Sequence, residues 1–353
     1  MIPAAFAIPG DINLPTGGYT YDRRVLALLA GRGIDARHVA LPGSFPDPGP
    51  NDLETTARQL EAIDADAVLM VDGLAYGALP ADIIRRARSP IVALVHHPLC
   101  LEAGLSADRQ QTLRGLETAA LRLARRVVVT SRVTARTVVE VFAVPSDKIA
   151  IAEPGTEPAA RATGSSGRPL QLLAVGAIVP RKAYDVLVRA LASLCDRAWH
   201  LTLVGPSDRS AEAIAALRTA IEETQLAERV TMLGPVSSER LAELYAAADA
   251  FLMPSLYEGY GMVLAEAMAC GLPIVCTTGG AAAETVPDAA AIKVPPGDQA
   301  ALTAAVGRLI DDAGLRRRIA DASWAAGQKL PRWEDTARII AGVIEAVARE
   351  AAR

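Results

Sequence analysis

The sequence is poor in aromatic residues, in cysteine and in excess charge, and each shortage excludes a class of protein. Aromatic residues make up 4% of the 353 residues, too few for a platform that stacks single-stranded nucleic acid. The net charge of −4 also gives no support to a nucleic-acid partner. The four cysteines include no C-x-x-C pair, which predicts reduced thiols rather than a disulfide framework.

Long apolar runs are also absent, so no segment is expected to span a bilayer. Residues 1–10 lack the basic start of a signal peptide and are predicted to form the first strand. We therefore expect a cytoplasmic protein. A weak peripheral contact with an anionic membrane stays open as an alternative. Its candidate residues are Arg122, Arg125, Arg126, Leu99, Leu101 and Leu105.

Hydrophobic residues make up 51% of the chain and occur as short apolar runs that alternate with helical patterns. This alternation predicts an α/β protein with parallel sheets covered on both faces. Residues 157–169 lack apolar periodicity and divide the chain into two doubly wound, Rossmann-like halves. The predicted domains are 1–157 and 168–330, with a final helix in 331–353. Two such sheets that face one another would leave a cleft for ligands at their strand ends.

The most informative segment is 253–273, in which Glu258 and Glu266 lie eight positions apart. An apolar run at 250–253 predicts a strand before Glu258, and 262–270 predicts a helix that contains Glu266. Gly259 and Gly261 between the two carboxylates allow close approach of the backbone to a ligand. The start of a helix favours phosphate, whereas carboxylates accept hydrogen bonds from sugar hydroxyls. Together these groups suit a sugar nucleotide.

The segment from Glu258 to Pro273 resembles the donor-site signature of family 4 of the retaining glycosyltransferases, which have the GT-B fold. The resemblance implies a nucleoside-diphosphate sugar as donor, an unidentified acceptor hydroxyl, no cofactor and no metal. It implies that Glu266 binds the ribose and Glu258 the transferred sugar. It also implies that the final helix crosses back to the first domain, beginning near Trp333. The other donor-binding residues implied within the segment are Gly259, Tyr260, Gly261, Met262 and Val263.

Arg181 and Lys182 follow the first predicted strand of the second half. Two adjacent cations at such an edge could neutralise a diphosphate and stabilise it as a leaving group. The family has a Lys-Gly pair at this place with an Arg before it, and here Ala183 replaces the glycine. We expect Arg181 and Lys182, like Glu258, to act in catalysis.

The paired glycines Gly17 and Gly18 open the first predicted helix, and similar proteins carry such a pair near the transferred group. His96 and His97 end a buried strand of the first half, where the family places one histidine beside the donor sugar. His96 matches that catalytic position better, and His97 is the alternative because adjacent residues point to opposite sides of a strand.

Gly205 and Val236 follow two strands of the second half and are expected near the donor base, although plain turns would look the same. The Asp64-x-Asp66 pair resembles a metal motif, but it precedes its strand and is predicted to be a solvated loop.

The sequence also allows functions other than sugar transfer to be compared. A nicotinamide enzyme is disfavoured, since Leu264 stands where a dinucleotide fingerprint needs its third glycine. A non-catalytic sugar-nucleotide-binding protein stays open, as does another GT-B enzyme such as a phosphorylase or an epimerase.

Overall fold

Two parallel six-stranded sheets form the framework of the chain in the computed structural model, which describes residues 1–165, 167 and 169–353. The strands of the first sheet are β1 (Ile2–Pro9), β2 (Ile34–Leu41), β3 (Val68–Asp72), β4 (Ile91–Val95), β5 (Arg126–Val129) and β6 (Ile149–Ile151). Those of the second are β7 (Leu170–Val175), β8 (Trp199–Val204), β9 (Val230–Met232), β10 (Ala250–Met253), β11 (Ile274–Thr277) and β12 (Ala291–Val294).

Both sheets have a doubly wound strand order. The order is β2-β1-β3-β4-β5-β6 in the first sheet and β12-β11-β10-β7-β8-β9 in the second. All neighbouring strands in the two sheets run parallel, so each connection must cross over through a helix or a loop. The predicted α/β class with two Rossmann-like halves is confirmed.

Helices connect the strands of each sheet. Those of the first part of the chain are α1 (Gly17–Leu29), α2 (Pro50–Glu61), α3 (Gly73–Tyr76), α4 (Ala81–Ile84), α5 (Ala107–Leu123) and α6 (Arg132–Phe142). The second part contains α7 (Tyr184–Ala192), α8 (Ala211–Glu223), α9 (Ser238–Ala247), α10 (Met262–Ala269), α11 (Ala282–Thr285), α12 (Gln299–Asp311) and α13 (Ala313–Gly327). The last helix is α14 (Trp333–Ala351).

One predicted helix is wrong. The sequence pattern predicts a single helix over 75–88, but the structure has the two short helices α3 and α4 there. Pro80 lies between them with φ −59° and ψ 143°, an extended conformation that stops the first helix and caps the second. Proline also lacks the N–H that a continuous helix would need at this position.

The chain divides into two compact units, which we call the first unit (residues 1–155 and 331–353) and the second unit (156–330). The final helix α14 therefore belongs to the first unit, as the predicted crossover requires. Its first residue, Trp333, is buried and lies edge-on to Tyr21 of α1 at 5.8 Å. A Cβ at Gly155 would lie 2.2 Å from the Trp333 backbone nitrogen, so only glycine fits this approach.

The segment 157–169 is not a free linker in its described part. Its described residues contain no helix and no strand before 170, in agreement with the composition. However, Ala162 donates its N–H to the carbonyl of Cys270, and Thr163 donates to the carbonyl of Ala246. The predicted linker also includes Ser166 and Arg168, which lie outside the described residues. These contacts attach the segment to the second unit.

The central strands of each sheet are buried on both faces, and strand β7 shows how. Leu172 and Ala174 pack in the core beneath α7, α8 and α12, whereas Leu173 and Val175 pack on the opposite side with α9, α10 and α13. Alternate residues of a strand point to opposite faces, so a strand covered on both sides must be apolar throughout. This requirement explains why the strands read as continuous apolar runs in the sequence.

Candidate active site

The second unit brings Arg181, Lys182 and Glu258 together at the carboxyl edge of its sheet. Arg181 and Lys182 lie in a short 3-10 turn (Pro180–Lys182) after β7, and Glu258 lies in the loop after β10. Lys182 Nζ is 2.8 Å from Glu258 Oε1, and Arg181 Nη1 is 3.1 Å from the same oxygen. Two residues predicted to hold a diphosphate thus share one carboxylate oxygen.

The backbone holds this cluster rigidly. Arg181 donates from Nη1 to the carbonyl of Tyr257 at 2.7 Å, and its own carbonyl accepts the N–H of Leu256. Glu258 forms a parallel bridge with Gly280 of the loop after β11. Gly280 has φ +61°, and a Cβ there would lie 2.4 Å from the carbonyl oxygen of Glu258. The Gly279-Gly280 pair, for which the sequence predicts no role, is therefore what lets the Glu258 loop dock.

The charge state of Glu258 follows from these contacts. Burial by itself raises the pKa of the carboxyl, since only 6% of the residue is exposed. The positive charges of Lys182 and Arg181 outweigh burial and lower the pKa to about 2. Glu258 is therefore ionised near neutral pH.

Ala183 shows why the related sequences have glycine there. Its φ of +48° and ψ of 41° lie in the left-handed region, which costs an alanine roughly 1 kcal/mol. This turn ends the 3-10 segment and starts α7, which places Lys182 beside Glu258. The departure from glycine therefore leaves the local geometry intact at a small cost in backbone strain.

Glu266 lies in α10, in the helix position that the sequence predicts. It is half-buried, and its Oε2 accepts a hydrogen bond from the Tyr245 hydroxyl at 2.9 Å. Burial raises the pKa of Glu266, while the Tyr245 hydrogen bond and the charge of Lys182 act against that rise. The charge of Lys182 thus acts on both carboxyl groups.

The residues between the two glutamates form the start of α10. Tyr260 is buried and its carbonyl accepts a hydrogen bond from the Thr285 hydroxyl at 2.7 Å, while Gly259 precedes it. Gly261 caps the helix, and Met262 and Val263 form its first turn, half-buried. The helix start that the sequence predicts near Glu258 is present.

A cavity of about 160 Å³ lies at the ends of β7, β8 and β9. Gly205 lines it, and a Cβ at Gly205 would lie 2.2 Å from the carbonyl oxygen of Gly176, so glycine is required for this contact. Val236 is not among the lining residues and packs instead, half-buried, on the core beside α9. The complete lining is Gly176, Ile178, Leu203, Val204, Gly205, Ser207, Ile214, Arg218, Met232 and Gly234.

The first unit places His96 beside the paired glycines. A Cβ on Gly18 would lie 3.5 Å from His96 Cδ2, so the start of α1 and the end of β4 meet. Gly17 is the first residue of that helix, which is capped by the Thr16 side chain. His97 turns elsewhere, with Nε2 3.6 Å from a carboxylate oxygen of Glu102. His96 is thus the histidine that shares a location with Gly18.

Two residues that the sequence reasoning missed contact His96. Its Nε2 lies 3.2 Å from Asp22 Oδ1 and 3.2 Å from Asp72 Oδ2. Burial lowers the pKa of His96, but the two aspartates outweigh it and raise that pKa to about 10. Burial and the charge of Asp72 raise the pKa of Asp22 to about 7. Only the position of Asp72, directly after a buried strand, could have indicated this cluster.

A metal was not expected from the sequence, and Asp64 and Asp66 are exposed, as predicted for a solvated loop. In the described part of the chain, Asp22, Asp72 and His96 have ligand atoms within 4.8 Å of one another, a donor set that could hold a metal ion. The two 3.2 Å distances are equally those of N–H···O hydrogen bonds.

The structure gives limited support to a membrane contact. Leu99 and Leu105 pack against the core of the first unit, and Leu101 is exposed. Arg126 pairs with Glu350 of α14, which leaves Arg122 and Arg125 as the exposed cations. Among the described residues, no helix combines the length and the apolar character needed to cross a bilayer.

Two protein families match the chain, one in each unit. The family described as "Glycosyl transferase 4-like domain" matches residues 11–155, and the family described as "Glycosyl transferases group 1" matches residues 169–312. Together these matches contain His96 in the first unit and Arg181, Lys182, Glu258 and Glu266 in the second.

Curated relatives carry names of the same kind. D-inositol 3-phosphate glycosyltransferase of Nocardia farcinica is 35% identical over 213 residues, which are 56% of this chain and 47% of the relative. The corresponding protein of Acidothermus cellulolyticus is 31% identical, over 62% of this chain and 53% of its own. The chain thus spans about half the length of these relatives. MMP alpha-(1->4)-mannosyltransferase of Mycolicibacterium hassiacum is 29% identical over 87% of this chain and 77% of that protein.

Solved structures share the fold. Sucrose-phosphate synthase of Thermosynechococcus elongatus has a TM-score of 0.83 at 22% identity, covering 98% of this chain and 100% of that one. HepE of Anabaena, described in complex with UDP and glucose, has a TM-score of 0.77 at 19% identity, with 97% and 100% covered. At these levels of sequence identity, the similarity shows a shared fold alone.

Proposed function

We propose that this chain is a retaining glycosyltransferase, because each of its two Rossmann-like units matches a glycosyltransferase family and the chain has the GT-B fold. It moves a sugar from a nucleoside-diphosphate sugar to an acceptor hydroxyl. In this proposal the diphosphate is neutralised by side chains of the protein and needs no metal ion.

The cluster of Arg181, Lys182 and Glu258 is the observation that carries the proposal. The two cations lie at the carboxyl edge of a parallel sheet, where ligands of such folds bind. Charge-assisted hydrogen bonds from Arg and Lys are the usual means of holding phosphate oxygens. As the bond to the sugar breaks, negative charge grows on the diphosphate, and fixed cations stabilise it most at that point.

Glu258 supplies the complementary charge. In the proposed reaction the sugar becomes positively charged as it leaves the diphosphate, and an ionised carboxylate nearby stabilises that transition state. The low pKa of Glu258 keeps the carboxylate ionised for this role. Glu266, which Tyr245 orients through a 2.9 Å hydrogen bond, is proposed to accept hydrogen bonds from the ribose.

The remaining parts of the donor are assigned by proximity. The cavity that Gly205 lines adjoins the ends of β7 and β8 and is proposed to receive the base. Val236 lies outside the lining, so its proposed contact with the base has less support than that of Gly205. In the first unit, His96 and the start of α1 at Gly17 and Gly18 are proposed to contact the sugar groups being joined.

A ligand screen tests the proposal without knowledge of the acceptor. Thermal shift and donor hydrolysis are measured over a panel of nucleoside-diphosphate sugars, and calorimetry then gives the affinity for the donor found. Arg181→Ala and Lys182→Ala should each weaken binding by roughly 1.5–3 kcal/mol, because each removes a charge-assisted hydrogen bond. Lys293→Ala is the matched control, since Lys293 pairs with Asp288 in the same unit.

Two results would contradict the proposed function. The first is the absence of a stabilising sugar nucleotide from the whole panel. The second is an unchanged donor affinity in both the Arg181 and Lys182 variants, which would place the diphosphate elsewhere. Binding without hydrolysis or transfer to any acceptor would favour the non-catalytic alternative.

A further inference from the structure

The cavity at the ends of β7, β8 and β9 is small and has few polar side chains in its lining. Its volume is about 160 Å³, whereas pockets for whole small molecules usually measure about 300–1,000 Å³. It therefore has room for one ring system of a larger ligand. Ser207 and Arg218 carry the polar side chains of the lining, and the other lining residues are glycine or apolar. No acidic side chain occurs in this lining, all of which belongs to the described part of the chain.

The apolar part of the lining suits the face of a flat ring. Ile178 follows β7, Met232 ends β9, and Ile214 lies in α8. Met232 is 39% exposed although its side chain is apolar. Covering such surface with a ring is favourable, and a thioether also makes favourable contacts with aromatic rings. These contacts do not choose between bases, because every base has a face of this kind. A choice of base must come from the polar groups.

Arg218 brings a cation to the cavity that no acidic side chain neutralises. Arg218 lies in α8 and is exposed, and among the residues that the structure describes it forms no hydrogen bond and no ion pair. Neighbouring arginines are engaged, since Arg209 lies 3.7 Å from Asp208 and Arg189 pairs with Glu223 at the end of α8. The N–H groups of the Arg218 guanidinium are therefore available to a ligand in the cavity.

The backbone carbonyls of the lining, in contrast, already accept hydrogen bonds. Those of Leu203, Val204 and Gly234 accept backbone N–H groups at 3.0, 2.8 and 2.9 Å. That of Gly176 accepts the Tyr184 hydroxyl at 3.5 Å. The cavity thus offers a ligand more free donors than free acceptors, and the strongest of these donors is the charged guanidinium.

We propose that Arg218 is a specificity-determining residue that selects a donor base with an oxo group over a base with an amino group at the same ring position. The inference rests on the proposed function, in which this cavity receives the base. Uracil and guanine present a carbonyl oxygen where cytosine and adenine present an N–H₂ group. The guanidinium donates to that oxygen, but it has no acceptor for an amino group.

Ser207 does not make the same choice. Its hydroxyl can donate to an oxo group and accept from an amino group, so it fits either kind of base. An amino base would also bring its own N–H donors towards the Arg218 cation, and a polar group that loses water without gaining a partner costs binding energy. The preference for an oxo base therefore depends on Arg218 and should follow changes at this position.

Free nucleoside diphosphates test this choice in matched pairs. UDP and CDP differ in carrying an oxo or an amino group on the same ring, and so do the diphosphates of inosine and adenosine. Isothermal titration calorimetry with the full chain gives the affinity for each ligand. We expect the oxo member to bind about tenfold more tightly than the amino member, since an arginine that hydrogen-bonds a base edge discriminates by at least this factor. The pair that binds more tightly shows whether the cavity takes a pyrimidine or a purine.

Variants at Arg218 then change the donors without touching the cations proposed to bind the diphosphate. Arg218→Gln supplies an amide that both donates and accepts, so the ratio of the oxo and amino affinities should fall to about one. Arg218→Glu supplies acceptors alone and should reverse the preference. Within a pair, both ligands carry the same diphosphate, so the ratio of their affinities reports on the base. Arg209→Gln is the matched control, because Arg209 lies near Ser207 in the chain but does not line the cavity, and the ratio should stay at the wild-type value.

Pyrophosphate separates the base from the diphosphate, since it carries no base. Its affinity should change by less than about twofold in the Arg218 and Arg209 variants, because salt screens exposed charges. Lys182→Ala should weaken it, as the proposed function requires. The midpoint of thermal unfolding shows whether each variant is folded.

Three outcomes would overturn the inference and leave the proposed function standing. One is an equal or reversed affinity within the pair that binds to the wild-type chain. Another is an oxo preference that Arg218→Gln leaves unchanged. The third is a loss of pyrophosphate affinity in Arg218→Gln, which would make Arg218 a phosphate ligand. If no nucleoside diphosphate binds to the wild-type chain, the proposed function itself is refuted, and this inference with it.

Discussion

Replacing Glu258 by glutamine separates two accounts of this residue. If Glu258 only contacts the transferred sugar, a free nucleoside diphosphate should bind equally well to wild type and variant, because it carries no sugar. The structure adds a second effect, since Glu258 Oε1 lies 2.8 Å from Lys182 Nζ and 3.1 Å from Arg181 Nη1. The carboxylate therefore pairs with the two cations that are proposed to bind the diphosphate, and it competes with the diphosphate for them.

The size of this effect follows from the pKa of Glu258. Burial raises that pKa, but Lys182 and Arg181 bring it from 4.5 to about 2, and one pKa unit corresponds to about 1.4 kcal/mol. The ionised group is thus stabilised by about 3 kcal/mol in the folded chain, and Glu258→Gln should lower the free energy of unfolding by a similar amount. If about half of this interaction is given up when a diphosphate binds, the variant should bind it about tenfold more tightly.

Isothermal titration calorimetry with the free diphosphate of the identified donor measures the change. Glu258→Asp keeps the charge, and Glu223→Gln removes a glutamate that pairs with Arg189 on the surface of the same unit. Glu258→Asp should leave the affinity closer to wild type because the charge is kept, and Glu223→Gln should do so because an exposed pair contributes little. Turnover should fall in Glu258→Gln despite the tighter binding. Equal or weaker affinity for the diphosphate in this variant would refute the reasoning from charge competition.

Further predictions concern the neighbouring groups and conditions. Glu266→Gln should raise KM for the donor more than it lowers kcat, because ribose contacts persist through the reaction; a pure loss of kcat in steady-state kinetics would reverse its assignment. Transfer should survive EDTA, and loss that Mn²⁺ or Mg²⁺ restores would contradict the role of Arg181 and Lys182. The folded pKa of Glu258 lies below its unfolded value, so the stabilisation that its carboxylate gives is present above about pH 4.5 and is lost as the pH falls through about 2. In Glu258→Gln, the free energy of unfolding measured in acid should lack this pH-dependent loss. Trp333→Ala should destabilise the first unit by about 3–5 kcal/mol in urea unfolding, since a buried aromatic side chain is lost.

The framework of the fold could be predicted because parallel strands covered on both faces must be apolar along their whole length. The error at 75–88 has a local cause, since the apolar spacing there suits a helix while Pro80 interrupts it. The short helix α11 was not predicted, and its four residues are too few to produce a periodic pattern.

The candidate donor site was readable for a similar reason. Glu258 and Glu266 lie within one short segment, and Arg181 and Lys182 are adjacent, so each pair is visible along the chain. That Arg181 and Lys182 both contact a single carboxylate oxygen of Glu258 was not visible. It depends on the docking of the 256–258 backbone against Arg181 and Gly280, which are distant in sequence.

The sequence by itself determined the α/β class, the division into two halves and the residue types of the candidate donor site, because these depend on local periodicity and short spacings. Only the tertiary structure decided the charge states. Asp22, Asp72 and His96 are separated by tens of residues and meet because α1, β3 and β4 converge. The pKa values of Asp22 and His96, like that of Glu258, depend on burial and on neighbours a few ångströms away, which no spacing along the chain reveals.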